Sequence, residues 1–410
     1  MDMFTINLNA ETLWDLDALS PPPRFRWMES DKPIRSLIYE GLPYQARVAE
    51  VFAWYANPLT IGEVSEIPAH GFPAVVLIHG GGGTAFAEWT HLWAKRGYAA
   101  IAMDLGAHQP ADPIYDSATG QFVRDGAKEA ENRTPLKTGG PTQTAEDKFD
   151  SVEREVEHHW PRHAVANAIL AHSLIRSFPE VDAERTAVTG ISWGGYTTCI
   201  TASVDTRFKA AAPVYGCGFL YEGESVQKPS IDNLSPVSRE KWIALYDPSS
   251  HLPRCRVPIL FVNGTHDIHY PLDSYARTMA LPTGSVSVRI EPEMLHSSEH
   301  GWAPEEIGRF IDTYCQPGSD SLPQLGESNR TSDSITVPYE SAVPLKSAVL
   351  HFTTNSGLRS ERTWGQSAAT INPYSIIAPP LPADANTWFI TTTDERGAMV
   401  STAPMIVASN

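Results

Sequence analysis

Gly190-Ile191-Ser192-Trp193-Gly194-Gly195-Tyr196 is the stretch that decides how this chain is read. It fits Gly-x-Ser-x-Gly, a pattern in which a strand turns abruptly into a helix with a serine at the apex. Residues 185–189 read as a short strand before it, and 196–202 as the start of a helix after it. Small residues at 190 and 194 leave room for the reversal and force the serine outward. The bare pattern recurs by chance in many chains. Its position between a predicted strand and a predicted helix is what gives it weight here.

A serine hydroxyl is a poor nucleophile unless a base takes its proton, and a carboxylate must hold that base in one tautomer. In this strand–turn–helix setting the acid and then the histidine are expected downstream, each after a strand. Asp267 stands in Asn263-Gly264-Thr265-His266-Asp267-Ile268-His269-Tyr270, after a predicted strand at 257–262. Asp273 is a weaker substitute, and a turn aspartate that caps backbone N–H groups is the structural alternative for Asp267. The histidine comes from Met294-Leu295-His296-Ser297-Ser298-Glu299-His300-Gly301-Trp302, after a predicted strand at 286–290. His296 lies nearer the strand end and is preferred, with His300 as the alternative base.

The run His79-Gly80-Gly81-Gly82-Gly83 follows the apolar stretch 74–78, which reads as a buried parallel strand. Glycines there bring backbone N–H groups close to a substrate. Together with the N–H of Trp193, that of Gly81 or Gly82 would stabilise the oxyanion of a tetrahedral intermediate. The run lacks the spacing of a dinucleotide loop and the Lys-Ser/Thr ending of a phosphate loop. The histidines at 266 and 269 with Asp267, and the pair His158-His159, follow no zinc pattern. No metal or cofactor is expected.

Around these motifs the chain divides into four parts. Residues 1–72 read as a surface arm followed by antiparallel edge strands at 34–39 and 47–55, joined through Gly41-Leu42-Pro43. Residues 73–316 form an α/β core, with helices at 88–96, 163–178, 275–281 and 304–314 and a further strand at 208–214. A long polar insertion at 104–160 reads as a lid or cleft wall rather than an inert loop, and 216–246 as irregular chain near the mouth of the site. Residues 317–334 read as a linker, and 335–410 as a small antiparallel β-sandwich with strands at 348–354, 387–392 and 398–401. That last part is expected to pack for stability, with a cleft wall, a dimer contact or a glycan-binding surface as the functional alternatives.

With 48 acidic and 31 basic side chains among 410 residues, the formal charge is −17, which argues against binding nucleic-acid phosphates. No apolar run approaches the roughly 20 residues that span a bilayer, so no membrane association is expected. The four cysteines are widely spaced and read as buried free thiols. The start Met1-Asp2-Met3-Phe4 fits a cytoplasmic N-terminus, or a secreted or periplasmic chain trimmed of a leader.

On these motifs, together with Trp160-Pro161-Arg162-His163-Ala164-Val165, residues 35–315 resemble the α/β-hydrolase superfamily. Within it they are most similar to the acetyl xylan esterase, dienelactone hydrolase and prolyl oligopeptidase-like group of bacterial proteins. The resemblance implies Ser192 as nucleophile, Asp267 as acid, His296 as base, and Trp193 with a glycine as the oxyanion hole. It also implies an immunoglobulin-like C-terminal domain. The group often carries His-Gly-His at the catalytic histidine, where this chain reads His296-Ser297-Ser298. The implied activity is hydrolysis of carboxylic esters, of small molecules or of acetylated polysaccharide. A serine peptidase is the second expectation, made less favourable because only about 70 residues precede Pro73, too few for a peptide-screening propeller. A non-catalytic glycan- or protein-binding module is the third.

Overall fold

A sheet of nine strands carries the fold of the computed structural model, which describes residues 12–120, 122–123 and 130–406. In chain order its strands are β1 (Phe25–Glu29), β2 (Arg35–Tyr44), β3 (Arg47–Ala56), β4 (Phe72–Ile78), β5 (Ala99–Met103), β6 (Val181–Ile191), β7 (Ala210–Val214), β8 (Ile259–Gly264) and β9 (Val286–Glu291). Their spatial order is β1-β2-β3-β5-β4-β6-β7-β8-β9. Pairings from β1 through β3 to β5 are antiparallel, and those from β5 through β4 to β9 are parallel.

Successive side chains of a strand point to opposite faces. Every residue of β4, β5, β7 and β8 is buried, so both faces of the central sheet must be covered. The cover comes from helices α1 (Ala87–Lys95), α2 (Trp160–Arg176), α3 (Trp193–Val204), α4 (Leu272–Met279) and α5 (Glu305–Cys315). Helices α1 and α5 are tied by Arg96, whose guanidinium reaches Asp312 at 2.7 Å and Glu305 at 2.9 Å. This is an α/β-hydrolase-like architecture. The chain leaves β4 toward β5 on one side and returns as β6 on the other. Their C-terminal ends therefore flank a topological switch point, where a crevice opens.

Local expectations needed correction in four places. Gly41-Leu42-Pro43 is not the turn between β2 and β3. It lies inside β2 at an irregularity in register, and the chain turns at Gln45 and Ala46, both with positive φ. The elbow helix begins at Trp193, three residues earlier than the pattern suggested. Residues 216–246 are not irregular throughout: they include helices Lys228–Asp232 and Pro236–Tyr246. The segment 317–334 is not a free linker, because Gln324–Leu325 and Asn329–Arg330 pair with strand Ile335–Glu340, and Leu322 is buried. The described part of the 104–160 insertion holds two small ribbons, a short helix Ala145–Lys148 and two 3-10 turns. The first eleven residues of the expected arm lie outside the described residues.

Residues 324–406 form antiparallel sheets that share a core of Ile335, Val337, Leu350, Ile376, Trp388 and Ile390. This all-β part covers the free edge of β9. Glu306 Oε1 accepts the Met399 N–H at 2.7 Å, and Ser401 Oγ accepts the Ile290 N–H at 2.9 Å. Covering an edge in this way removes a template for unwanted strand pairing. All four cysteines are buried and unpaired. Among the described residues no helix is long and apolar enough to cross a membrane.

Buried histidines make the fold sensitive to acid. His172 lies between α2 and the sheet, with Nδ1 on Asp205 Oδ2 and Nε2 on Thr186 Oγ1, both at 2.8 Å. Burial outweighs the carboxylate and pushes its imidazole down to about 4, and burial does the same to His159, His163, His251 and His351. The unfolded chain therefore binds protons between about pH 6.5 and pH 4 that the folded chain refuses. Stability is fully present above that window and is lost as pH falls through it. For His172 alone the loss is on the order of 3 kcal/mol. Thermal unfolding followed from pH 7 to pH 4 is expected to show a falling Tm, and a flat profile would refute this account.

Candidate active site

The elbow is built as the close spacing of its glycines demands. Ser192 sits at φ 57°, ψ −118°, a strained conformation for a residue with a side chain. Its N–H donates to Val214 O at 2.8 Å, and its carbonyl accepts the Tyr196 N–H at 2.9 Å as α3 begins. A Cβ on Gly194 would lie 1.9 Å from Ile78 O, and one on Gly190 would lie 2.3 Å from Gly194 O. Only glycine lets β4, β6 and the first turn of α3 approach this closely. Ser192 is partly open to solvent, while Ile191 and Trp193 on either side are buried.

The loops after β8 and β9 bring the next two groups together. His296 Nδ1 donates to Asp267 Oδ2 at 2.8 Å. The other carboxylate oxygen accepts the N–H groups of His269 at 2.8 Å and Tyr270 at 3.0 Å. With its side chain 1% exposed, Asp267 is held dry, whereas His296 is 22% exposed and open to a reactant. Spending Nδ1–H on the carboxylate leaves Nε2 free to accept a proton. The His296 ring stacks on Tyr215 at 4.4 Å, and the Tyr215 hydroxyl fixes the same loop by donating to Leu295 O at 2.7 Å. His300 is not part of this arrangement: it is exposed, with Nδ1 2.7 Å from Ser297 Oγ. Asp273 is engaged elsewhere, in an ion pair with Arg359 at 3.2 Å.

The glycine run after β4 faces the elbow across the switch point. Its anchor is His79, which is buried. Leu105 N–H donates to Nε2 at 2.8 Å, so the proton lies on Nδ1, which donates to Gly80 O at 2.7 Å. Burial holds this imidazole below its usual range and keeps it neutral. Arg133 adds a contact to Gly83 O. The two candidate glycines differ. The Gly82 N–H is taken up by Gln143 Oε1 at 3.2 Å, whereas Gly81 packs directly on the Trp193 ring, which a Cβ would meet at 2.7 Å. As the first residue of α3, Trp193 carries an N–H that has no partner within its own helix.

Several side chains at this site have no signature in the sequence. Gln143 and Lys148 come from the insertion, and the Lys148 ammonium lies 4.8 Å from the centre of the Trp193 ring. Burial lowers its pKa. His269, 4.6 Å from His296 ring to ring, is held below the usual imidazole range by burial, with His296 and Lys148 adding to the effect. The C-terminal part also reaches the acid loop, since His266 Nε2 donates to Arg362 O at 2.7 Å, next to Asp267. His159 contacts Tyr246 and the Arg154 carbonyl. Among the described residues no three His, Cys, Asp or Glu side chains gather as metal ligands.

The sequence pattern of the dienelactone hydrolase family matches residues 63–306. Similar solved structures include an acetyl xylan esterase from Paenibacillus sp. R4, at 21% identity and TM-score 0.54, covering 76% of this chain and 96% of that one. Acetyl xylan esterase 1 from Thermoanaerobacterium sp. JW/SL YS485 follows at 17% identity and TM-score 0.50, covering 77% and 98%. At these identities the likeness extends to the fold. No curated protein is significantly similar to the chain in sequence.

Proposed function

The chain belongs to the dienelactone hydrolase family, within the α/β-hydrolase superfamily, and on that premise we propose that it is a serine carboxylesterase acting on small acyl esters or on acyl groups carried by a polysaccharide. Ser192 is the nucleophile, His296 the base, Asp267 the acid that holds it, and the N–H groups of Trp193 and Gly81 form the oxyanion hole. The observation that supports this most is the 2.8 Å Asp267–His296 pair, formed at the same end of the sheet as the strained Ser192 turn.

Ser192 Oγ attacks the ester carbonyl carbon as His296 Nε2 takes its proton. The oxygen that becomes negative is held by the two N–H groups. His296 passes the proton to the departing alcohol, which leaves an acyl-enzyme. Water then attacks that acyl carbon with the same histidine as base, and the acid departs. Gly81 is preferred to Gly82 because the Gly82 N–H is already committed to Gln143. We also take residues 335–410 as an immunoglobulin-like sandwich domain that walls the acid loop through Arg362, with 73–316 as the catalytic domain.

A fluorophosphonate probe followed by peptide mapping is expected to label Ser192. In parallel assays, a short-chain acyl ester and acetylated xylan are expected to turn over, and an aminoacyl-prolyl amide to stay intact. Amide turnover would move the assignment to a peptidase. No labelling and no turnover would leave a binding module.

A further inference from the structure

His269 touches both members of the Asp267–His296 pair. Its main-chain N–H donates to Asp267 Oδ1 at 2.8 Å, and its ring packs on the His296 ring at 4.6 Å between centres, tilted by 42°. Residues 225–227 hold it there. Ser225 Oγ donates to the His269 carbonyl at 2.7 Å, the Val226 N–H donates to Ile268 O at 3.1 Å, and Gln227 Nε2 lies 3.4 Å from the His269 Nδ1. The Tyr215 ring also lies against His296, at 4.4 Å and 30°. The 2.8 Å bond to Asp267 fixes one point of the His296 ring but leaves the ring free to swing and tilt about it. Flat contacts on the ring remove that freedom, and with it the freedom of Nε2 to point elsewhere.

We propose that His269 is a positioning residue, whose ring, together with that of Tyr215, holds the plane of His296 so that Nε2 stays aimed at the proton it must take. The proposal rests on the reading of Ser192 as nucleophile and His296 as base. The two halves of His269 do separate work: the backbone N–H holds the acid, and the side chain holds the base. The side chain needs to be flat, and it needs to be uncharged. A cation 4.6 Å from His296 would oppose the charge that His296 takes up on accepting the serine proton. Burial lowers the His269 pKa, with His296 and Lys148 adding to the effect and Asp267 opposing it, so the ring stays neutral beside the base. No proton passes through His269.

Substitution of the side chain leaves the N–H on Asp267, so variants isolate the ring. His269→Ala is expected to lose about 10- to 100-fold in kcat on a short-chain acyl ester, with KM within about threefold of the parent. His269→Gln, which keeps a polar end of similar length but no ring, should lose as much and serves in its place if the alanine variant is unstable. His269→Phe restores a flat, uncharged ring and should recover most of the loss. A kcat within about twofold of the parent in the alanine and glutamine variants would overturn the proposal, as would a phenylalanine variant no better than they are, or losses that merely track a lower Tm. Fluorophosphonate labelling separates the two levels. If Ser192 of the parent is not labelled, the nucleophile reading fails. If it is labelled, and at the same rate in His269→Ala or His269→Gln, only the role of His269 fails.

Discussion

His296→Ala is expected to lower ester hydrolysis by roughly 10⁴-fold or more, while His300→Ala stays within a few-fold of the parent. The difference follows from what each ring touches. His296 spends Nδ1–H on a carboxylate that is almost fully buried and keeps Nε2 free, whereas His300 is exposed and engaged with Ser297. An imidazole fixed in one tautomer and stabilised once protonated can serve as a base, and an unanchored one at the surface cannot do so efficiently. Fluorophosphonate labelling should follow the same order, since phosphonylation of Ser192 also needs the base. Comparable losses in both variants, or a larger one in His300→Ala, would refute the assignment.

Gly194→Ala is the second large effect, and it acts on the fold. The new methyl carbon would stand 1.9 Å from Ile78 O and 2.7 Å from His79 O, both backbone atoms that cannot swing aside. Either β4 moves away from β6 or the first turn of α3 unwinds. A destabilisation of more than about 4 kcal/mol is expected, visible as loss of soluble protein or a sharp fall in Tm. Any folded remainder should label poorly at Ser192, because the same shift displaces the glycine loop. Alanine at Gly397, where no atom lies within 4 Å, is the contrasting control: its φ of +84° introduces strain but no collision, so its cost should be far smaller. Equal stability losses in the two variants would count against the steric account.

Local patterns were readable wherever a short window contained the whole reason for the conformation. The run 74–78 is apolar throughout because both faces of β4 are buried, and the glycines at 190 and 194 are there because backbones touch. Windows whose conformation depends on distant partners mislead when read alone. The segment 317–334 looks like a linker by composition, yet Leu325 pairs with Tyr339. Residues 216–246 looked irregular because the helix Pro236–Tyr246 buries little beyond Trp242, Leu245 and Tyr246 and has only a weak apolar stripe. Nothing in the residues beside Gln143 and Lys148 marks them, because they matter only where the insertion folds back onto the glycine run and the elbow.

What the amino-acid order determined alone was the strand–turn–helix at Ser192, the glycine run after an apolar strand, and an acid and a histidine placed after later strands. Each is a local demand of sterics or burial. It could not choose between His296 and His300, or between Gly81 and Gly82, because each pair sits within a few residues on one loop. Tertiary structure distinguishes the members of each pair by proximity, which is what favours His296 and Gly81 in the proposed site: the buried Asp267 carboxylate meets only one of the two histidines, and Gln143, arriving from the insertion, occupies one of the two glycine N–H groups.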